Sequence, residues 1–336
     1  MNTELLATHT PELFAAAVRQ AAAWLRAGEV VALPTETVYG LAANALDAGA
    51  VARVFHVKGR PAHNPIIVHV ASAAMVRDCV QTWPELAERL ARAFWPGPLT
   101  LVLPRADSIP AAVAAGGSTV GIRWPAHPLM QSVIRECGFP LAAPSANLSN
   151  QISPTNAQHV YSQLAGRIPL IVDGGHSQVG IESTVLDLTV SPPHILRPGM
   201  IHEVSLAAAG LPVVNPPGHG SLALADGSLK SPGLLQKHYA PKAKLLILNW
   251  RDEPELQAQI GAITGKVCIV AHTNIPAGGG AVEVSVIPHD AEAFARALYA
   301  ELHRCDAAGA RLIVVESPPD LPEWSGIADR LRRAAA

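Results

Sequence analysis

From Thr10 the chain sets a hydroxyl, a proline and an acid in the order of a helix cap and first turn. Phe14, Val18, Ala21 and Leu25 then recur at helical spacing until Gly28 stops the run. The period changes at once. Aliphatic or β-branched runs bounded by Pro or Gly, at 29–33, 65–70, 99–103, 119–123, 170–172 and 184–188, predict strands, and helices fit at 84–94, 128–137 and 154–164. Between 211 and 243 the amphipathic period is lost among Pro212, Pro216, Pro217, Gly218, Gly220, Gly227, Pro232, Gly233 and Pro241, which reads as a linker. Beyond it, strands are expected at 245–248, 267–271, 282–287 and 312–315, with a helix at 291–305 before the last. Strands and helices alternate without strict βαβ regularity, so the first part is expected to be α/β, a twisted mixed sheet flanked by helices. The second is expected to be a smaller α/β unit, and no internal repeat or low-complexity tail is found.

Composition supports two units. At 336 residues the chain exceeds the length at which one core usually stops growing, and the expected division is 1–210, a linker at 211–243 and 244–336. Hydrophobic residues at 49% and charged residues at 15% exclude disorder and suit well-buried strands. A formal net charge of −2 removes the basic footprint of a protein that holds nucleic acid tightly. Cys79, Cys137, Cys268 and Cys305 are scattered with no C-x-x-C pair and read as small buried hydrophobes. No basic stretch followed by an apolar run opens the chain and no apolar segment reaches about 18 residues, so a soluble cytoplasmic protein is expected. G-x-G-x-x-G after a strand and G-x-x-x-x-G-K-[ST] are both missing, and Gly278-Gly279-Gly280 reads as a plain loop. A phosphate site would have to be built from side chains and scattered amides.

Candidate chemistry begins at Lys58-Gly59-Arg60-Pro61-Ala62-His63-Asn64-Pro65, two cations two residues apart, following the loop Pro34-Thr35-Glu36-Thr37-Val38-Tyr39-Gly40. A lysine supplies a point charge and an arginine a rigid fork for phosphate oxygens, so the stretch suggests a polyanion; a charged helix end running into a turn is the plainer reading. The company it keeps decides between them. Ser118-Thr119-Val120-Gly121-Ile122-Arg123-Trp124-Pro125, Ala143-Pro144-Ser145-Ala146-Asn147, Glu182-Ser183-Thr184-Val185, Leu196-Arg197-Pro198-Gly199, Ser231-Pro232-Gly233 and Lys237-His238-Tyr239-Ala240-Pro241 follow in order. Together they resemble the YrdC-type L-threonylcarbamoyladenylate synthases, in the long form with an additional C-terminal domain. The resemblance covers nearly the whole chain and is strongest over 28–199.

The resemblance implies a YrdC-like fold with a smaller Rossmann-like C-terminal α/β domain. It also implies that L-threonine, bicarbonate and ATP are joined into threonylcarbamoyl-AMP with release of pyrophosphate, for modification of adenosine beside the tRNA anticodon. Lys58 and Arg60 are then the catalytic candidates, cations expected to be solvated and to stabilise charge moving to the leaving pyrophosphate. Asn64, Thr119, Ser145, Asn147, Ser153, Arg197, His238 and Tyr239 would complete the ATP site. Ser153 reads equally as the cap of the helix beginning at Pro154, and Ser145 and Asn147 as turn residues. For threonine, Arg123 would take the carboxylate, with Thr35, Thr37, His69, Ala143 and Ser183 around the amine and hydroxyl. Thr35 and Thr37, two apart on an extended segment, would share a face. His69 could equally be a hydrogen-bonded core residue, Glu36 could meet magnesium or stay solvated, and Tyr39 is expected to line the pocket. Mg2+ would arrive with ATP, held by phosphates and water instead of protein side chains.

The long form also implies that the stretch from Ser231 to Pro241 folds over the cleft as a lid, although Leu234, Leu235 and Gln236 depart from the family's usual methionine and aromatic. Expected partners are the downstream tRNA threonylcarbamoyl-transfer machinery and a weak tRNA or RNA contact, with no membrane. Two rivals stand beside this reading. Hydrogenase-maturation carbamoyltransferases share a similar domain but need cysteine pairs lacking here, and a non-catalytic RNA-binding module fits poorly with near-neutral charge and few aromatics.

Overall fold

A ten-stranded mixed sheet carries the first part of the chain and a four-stranded parallel sheet the last. The computed structural model describes residues 2–211, 231–233, 238–261 and 265–336. In chain order the strands are β1 (Glu4–Ala7), β2 (Val31–Leu33), β3 (Gly40–Asn44), β4 (Val68–His69), β5 (Leu99–Pro104), β6 (Thr119–Arg123), β7 (Leu141–Ala142), β8 (Leu170–Asp173), β9 (Thr184–Asp187) and β10 (His194–Arg197). After them come β11 (Lys244–Leu248), β12 (Val267–Ala271), β13 (Val282–Val286) and β14 (Leu312–Glu316). The large sheet runs β1-β8-β2-β3-β7-β4-β6-β5-β9-β10 and the small one β11-β14-β12-β13. This is the mixed sheet flanked by helices, with a second parallel α/β sheet, that the alternating pattern predicts.

The first helix, Pro11–Arg26, starts as its sequence dictates, with Thr10 accepting the N–H of Leu13. It buries Ala17, Val18, Ala21, Ala22 and Leu25 with helix Pro128–Cys137 on one face of the large sheet. Alternation along β2 divides the core. Val31 and Leu33 join that cluster, whereas Ala32 faces the larger cluster on the opposite side, with Leu41, Val51 and Val54.

The strand expected at 29–33 narrows to Val31–Leu33, and two further elements are shorter than the sequence suggests because flanking backbone groups find partners elsewhere. The stretch at 65–70 narrows to Val68–His69: the Ile66 N–H goes to the Val113 carbonyl, and the Ile67 carbonyl accepts from Ala143. The helix expected from Pro154 begins at Ala157, capped by Asn156, while the Pro154 carbonyl accepts from Tyr39. Ser153 is therefore not the cap. β1, β3, β10 and the final helix Ser325–Ala334 carry no signal that the pattern singles out. All four cysteines are buried and free, and among the described residues no helix is long and apolar enough to cross a membrane.

The two sheets are joined by an apolar cluster that includes Val38, Ile152, Ile181 and Tyr239 together with Phe294, Leu298, Tyr299 and Leu302 of helix Ala291–Ala307. Burying each such large side chain contributes about 1.5–3 kcal/mol. Backbones also meet directly. A Cβ on Gly326 would stand 2.8 Å from the Cα of Gly199, so the final helix docks at a distance that only glycine permits. Of the stretch expected to be linker and lid, 212–230 and 234–237, including Lys237, lie outside the described residues.

Candidate active site

One cavity of about 50 Å³ lies at the ends of β4, β6 and β10 and the loops after β2, after β7 and before β9, with Arg60 and the stretch carrying Pro232, Gly233, His238 and Tyr239 completing its lining. Register does much of the placing. Parallel pairing of β4 with β6 sets His69 beside Arg123, and both side chains reach the cavity together with Thr35, Thr37, Ala143 and Ser183. The Thr35 hydroxyl donates to the Val38 carbonyl at 2.6 Å and meets the Thr37 hydroxyl at 2.9 Å. The two threonines share a face as their spacing predicts, but through a tight turn instead of an extended strand.

Arg123 is buried and held on two sides: Nε donates to the Gly97 carbonyl at 3.3 Å, and Nη2 lies 2.8 Å from Glu36 Oε1. Glu36 is thus buried and paired, not solvated. It anchors Arg123. Burial, then the charge of Arg123, lower the His69 pKa to about 3 against an opposing hydrogen bond with the Ala143 backbone, so the ring is neutral, and its Nδ1 has no partner. Tyr39, expected at the cavity, is instead wholly buried behind it. Its hydroxyl donates to the Gly175 carbonyl at 2.7 Å and accepts from Gly174 at 3.1 Å.

Arg60, Ser145 and Arg197 line the same cavity. Arg60 and Lys58 are not the solvated cations expected; they are 8% and 2% exposed. Lys58 Nζ donates to the carbonyls of Ser145 (2.5 Å) and Asn147 (2.7 Å) and to Asn147 Oδ1 (3.2 Å), tying the end of helix Ala48–Lys58 to the loop after β7. Burial, and then Arg60, push the lysine pKa well below its usual value. Arg60 donates to the carbonyls of Asn64 and Pro65 and to Asn64 Oδ1, leaving Asn64 Nδ2 as a buried donor without a partner. Asn147 spends both Nδ2 hydrogens on Leu148 and Gln151 and behaves as a turn residue. Lys58, Asn64, Asn147 and Ser153 back the cavity without lining it. Thr119, at the far end of β6 from Arg123, does not line it either.

Pro232, Gly233, His238 and Tyr239 also line this cavity, with Ser231 buried beside them. Arg197 Nη1 donates to the Pro232 carbonyl at 3.2 Å, while its Nε and Nη2 hold the Ser183 carbonyl at 3.1 and 3.0 Å. Gly233 has φ +81°, and a Cβ there would stand 2.4 Å from the Tyr239 hydroxyl. His238 meets Tyr239 edge to face at 3.9 Å, and burial lowers its pKa to about 3, with the charges of Arg60, Lys58 and Arg197 acting in the same direction against Glu182.

Residues 23–199 match the Sua5_yciO_yrdC family model, described as telomere recombination, and residues 199–336 match that of the threonylcarbamoyl-AMP synthase C-terminal domain. The chain belongs to the threonylcarbamoyl-AMP synthase family. It is 40% identical to the threonylcarbamoyl-AMP synthase of Pyrococcus abyssi over 95% of this chain and 94% of that one. With the Bacillus subtilis threonylcarbamoyl-AMP synthase it shares 41% identity, over 99% and 95% respectively. The crystal structure of P. abyssi Sua5 complexed with L-threonine is similar to the whole fold, with a TM-score of 0.89 and 37% identity, covering 100% of this chain and 98% of that one.

Motif reading alone misses the charge centre beneath this family's cavity. Glu182 is 7% exposed and accepts from Ser153 (2.5 Å), Tyr299 (3.0 Å) and Arg330 Nε (2.7 Å). Burial by itself would raise its pKa; Arg330 and Arg197, with hydrogen bonds from Ser153 and Arg330, outweigh that and hold it at about 2. Arg330 comes from the last helix, more than a hundred residues along the chain. Its arginine-rich surroundings, Asp329-Arg330-Leu331-Arg332-Arg333, look in sequence like a solvated helix end.

Proposed function

We propose that this chain condenses L-threonine, bicarbonate and ATP into threonylcarbamoyl-AMP, releasing pyrophosphate and water, as its relatives' names describe the product. The observation that carries this reading is one cavity lined by three buried arginines: Arg123, held by Glu36, and the pair Arg60 and Arg197, which act on one another electrostatically. A lone arginine neutralised by a carboxylate suits an amino acid's carboxylate, and a pair of arginines suits a polyphosphate.

Arg123 takes the threonine carboxylate, with Thr35, Thr37, Ala143 and Ser183 around its amine and hydroxyl. His69, neutral and with a free Nδ1, serves as a hydrogen-bonding group without adding positive charge beside Arg123. The amine adds CO2 derived from bicarbonate, giving N-carboxythreonine, and a carbamate oxygen attacks the α-phosphorus in line. Arg60 and Arg197 stabilise the charge that grows on the departing pyrophosphate, and Asn64 holds the Arg60 guanidinium from behind. Lys58 shapes the loop carrying Ser145 from behind. Both carboxylates next to the cavity, Glu36 and Glu182, are taken up by guanidinium groups. Mg2+ would accompany ATP, held by phosphates and water, and would supply charge neutralisation there.

A cavity of about 50 Å³ holds a few water molecules and not a nucleotide. His238 and Tyr239 must lift for ATP to enter and close again over it, which keeps water from the adenylate. The product serves the tRNA threonylcarbamoyl-transfer machinery. The test is pyrophosphate release from ATP and Mg2+ with and without L-threonine, with threonylcarbamoyl-AMP identified by mass. Release that does not depend on threonine would overturn the assignment and favour a non-synthetic ATPase.

A further inference from the structure

We propose that Arg330 of the last helix is a positioning residue for ATP: it neutralises Glu182, which otherwise stands as an internal anion against the cations that receive the phosphates. The proposal rests on the functional reading above and extends it to the C-terminal sheet, whose part in synthesis would then be electrostatic as well as steric.

Glu182 borders the cavity, and Arg197, Lys58 and His238 all lie within electrostatic reach of it. A carboxylate there has two ways to find a countercharge. It can be matched from behind, by a group that substrate never touches, or it can draw on the phosphate-binding cations themselves. The structure shows the first. Arg330 is wholly buried, its Nε lies 2.7 Å from Glu182 Oε2, and its Nη2 donates to the Glu182 carbonyl at 3.1 Å. Nη1 reaches the Pro198 carbonyl at 3.0 Å and Asp329 Oδ2 at 2.8 Å, a carboxylate that Arg333 also holds, and the guanidinium carbon sits 5.3 Å from the centre of the Tyr239 ring. One side chain thus holds the backbone on either side of the catalytic wall, before Ser183 and after Arg197, and supports the residue that caps the cavity. Close approach of Gly326 to Gly199 fixes the distance.

If Arg330 loses its charge, Glu182 remains buried and ionised next to Arg197 and Lys58, or else takes up a proton. In the first case it competes with the phosphates. This has a consequence that a merely structural role lacks: removing the carboxylate charge should repair the loss of the arginine.

The experiment measures binding of a non-hydrolysable ATP analogue, by calorimetry, to the full-length chain and to Arg330→Gln, Arg330→Lys, and the double variant Glu182→Gln with Arg330→Gln. Threonine binding and thermal melting are followed alongside. Arg330→Gln is expected to weaken analogue binding by about tenfold or more, with threonine affinity changed less than about threefold. Arg330→Lys should retain most of the affinity, and the double variant should recover to within about threefold of the unaltered chain. The proposal is overturned if Arg330→Gln binds the analogue normally, or if the double variant binds no better than Arg330→Gln. Should Arg330→Gln not fold, the double variant and Arg330→Lys carry the decision: weak binding by both would equally overturn it. Analogue binding does not require turnover, so these outcomes stay separate from threonine-dependent pyrophosphate release, which tests the functional reading itself.

Discussion

Replacing Lys58 by methionine keeps an unbranched stem in the same space and removes only the ammonium. The structure states what is lost. Three acceptors, the Ser145 and Asn147 carbonyls and Asn147 Oδ1, converge on Nζ at 2.5, 2.7 and 3.2 Å, and the residue is 2% exposed, so water does not readily replace it. Hydrogen bonds to a charged group contribute about 1.5–3 kcal/mol each. Against their sum stands the desolvation of the ammonium, several kcal/mol, together with repulsion from Arg60, the two effects that lower its pKa. Their difference leaves a net destabilisation of about 2–4 kcal/mol for Lys58→Met, which at this chain length lowers the melting temperature by roughly 3–6 °C. Synthesis should fall sharply as well, because the released loop carries Ser145 into the cavity. Thermal melting and threonine-dependent pyrophosphate release are measured on the same preparation. A variant that melts like the unaltered chain would refute the internal-strut role, whatever its activity; a solvated phosphate-binding lysine would lose activity alone.

Arg123→Leu should raise the threonine requirement more than the ATP requirement in separate saturation curves, and it leaves Glu36 buried without its partner, a loss of about 3–5 kcal/mol. Equal effects on both substrates would remove Arg123 from the threonine site. Gly326→Val should abolish docking of the last helix, since even a Cβ would stand 2.8 Å from Gly199 Cα; synthesis is lost while circular dichroism of the large sheet persists, and normal turnover would show that this contact is dispensable. Acid should destabilise the chain before its carboxylates titrate. His69 and His238, held neutral with pKa values of about 3 by burial, gain protons on unfolding below 6.5, so stability declines as pH falls from about 6.5 toward 3. Urea midpoints at about pH 7.5 and 5.5 check this, and an unchanged midpoint would contradict the buried neutral rings.

The strands and helices with strong periodicity were legible in the chain itself, because apolar spacing reports which face of an element is buried. Helix Pro128–Cys137, strand Thr119–Arg123 and strand Val267–Ala271 fall where the spacing predicts them. So was the family, since its motifs follow one another in a fixed order along the chain. Tertiary structure decided how those residues are used. Lys58 and Asn147 look like donors to a ligand and prove to be partners of one another, because the loop after β7 folds back on the end of helix Ala48–Lys58. Glu36 and Arg123 form a buried pair across 87 residues of chain, and Glu182 and Arg330 another across 148. Neither is written in any local pattern: spacing along the chain encodes which face a residue shares with near neighbours, whereas the partner of a buried charge is chosen by which distant segment the packed sheets bring within about 3 Å of it.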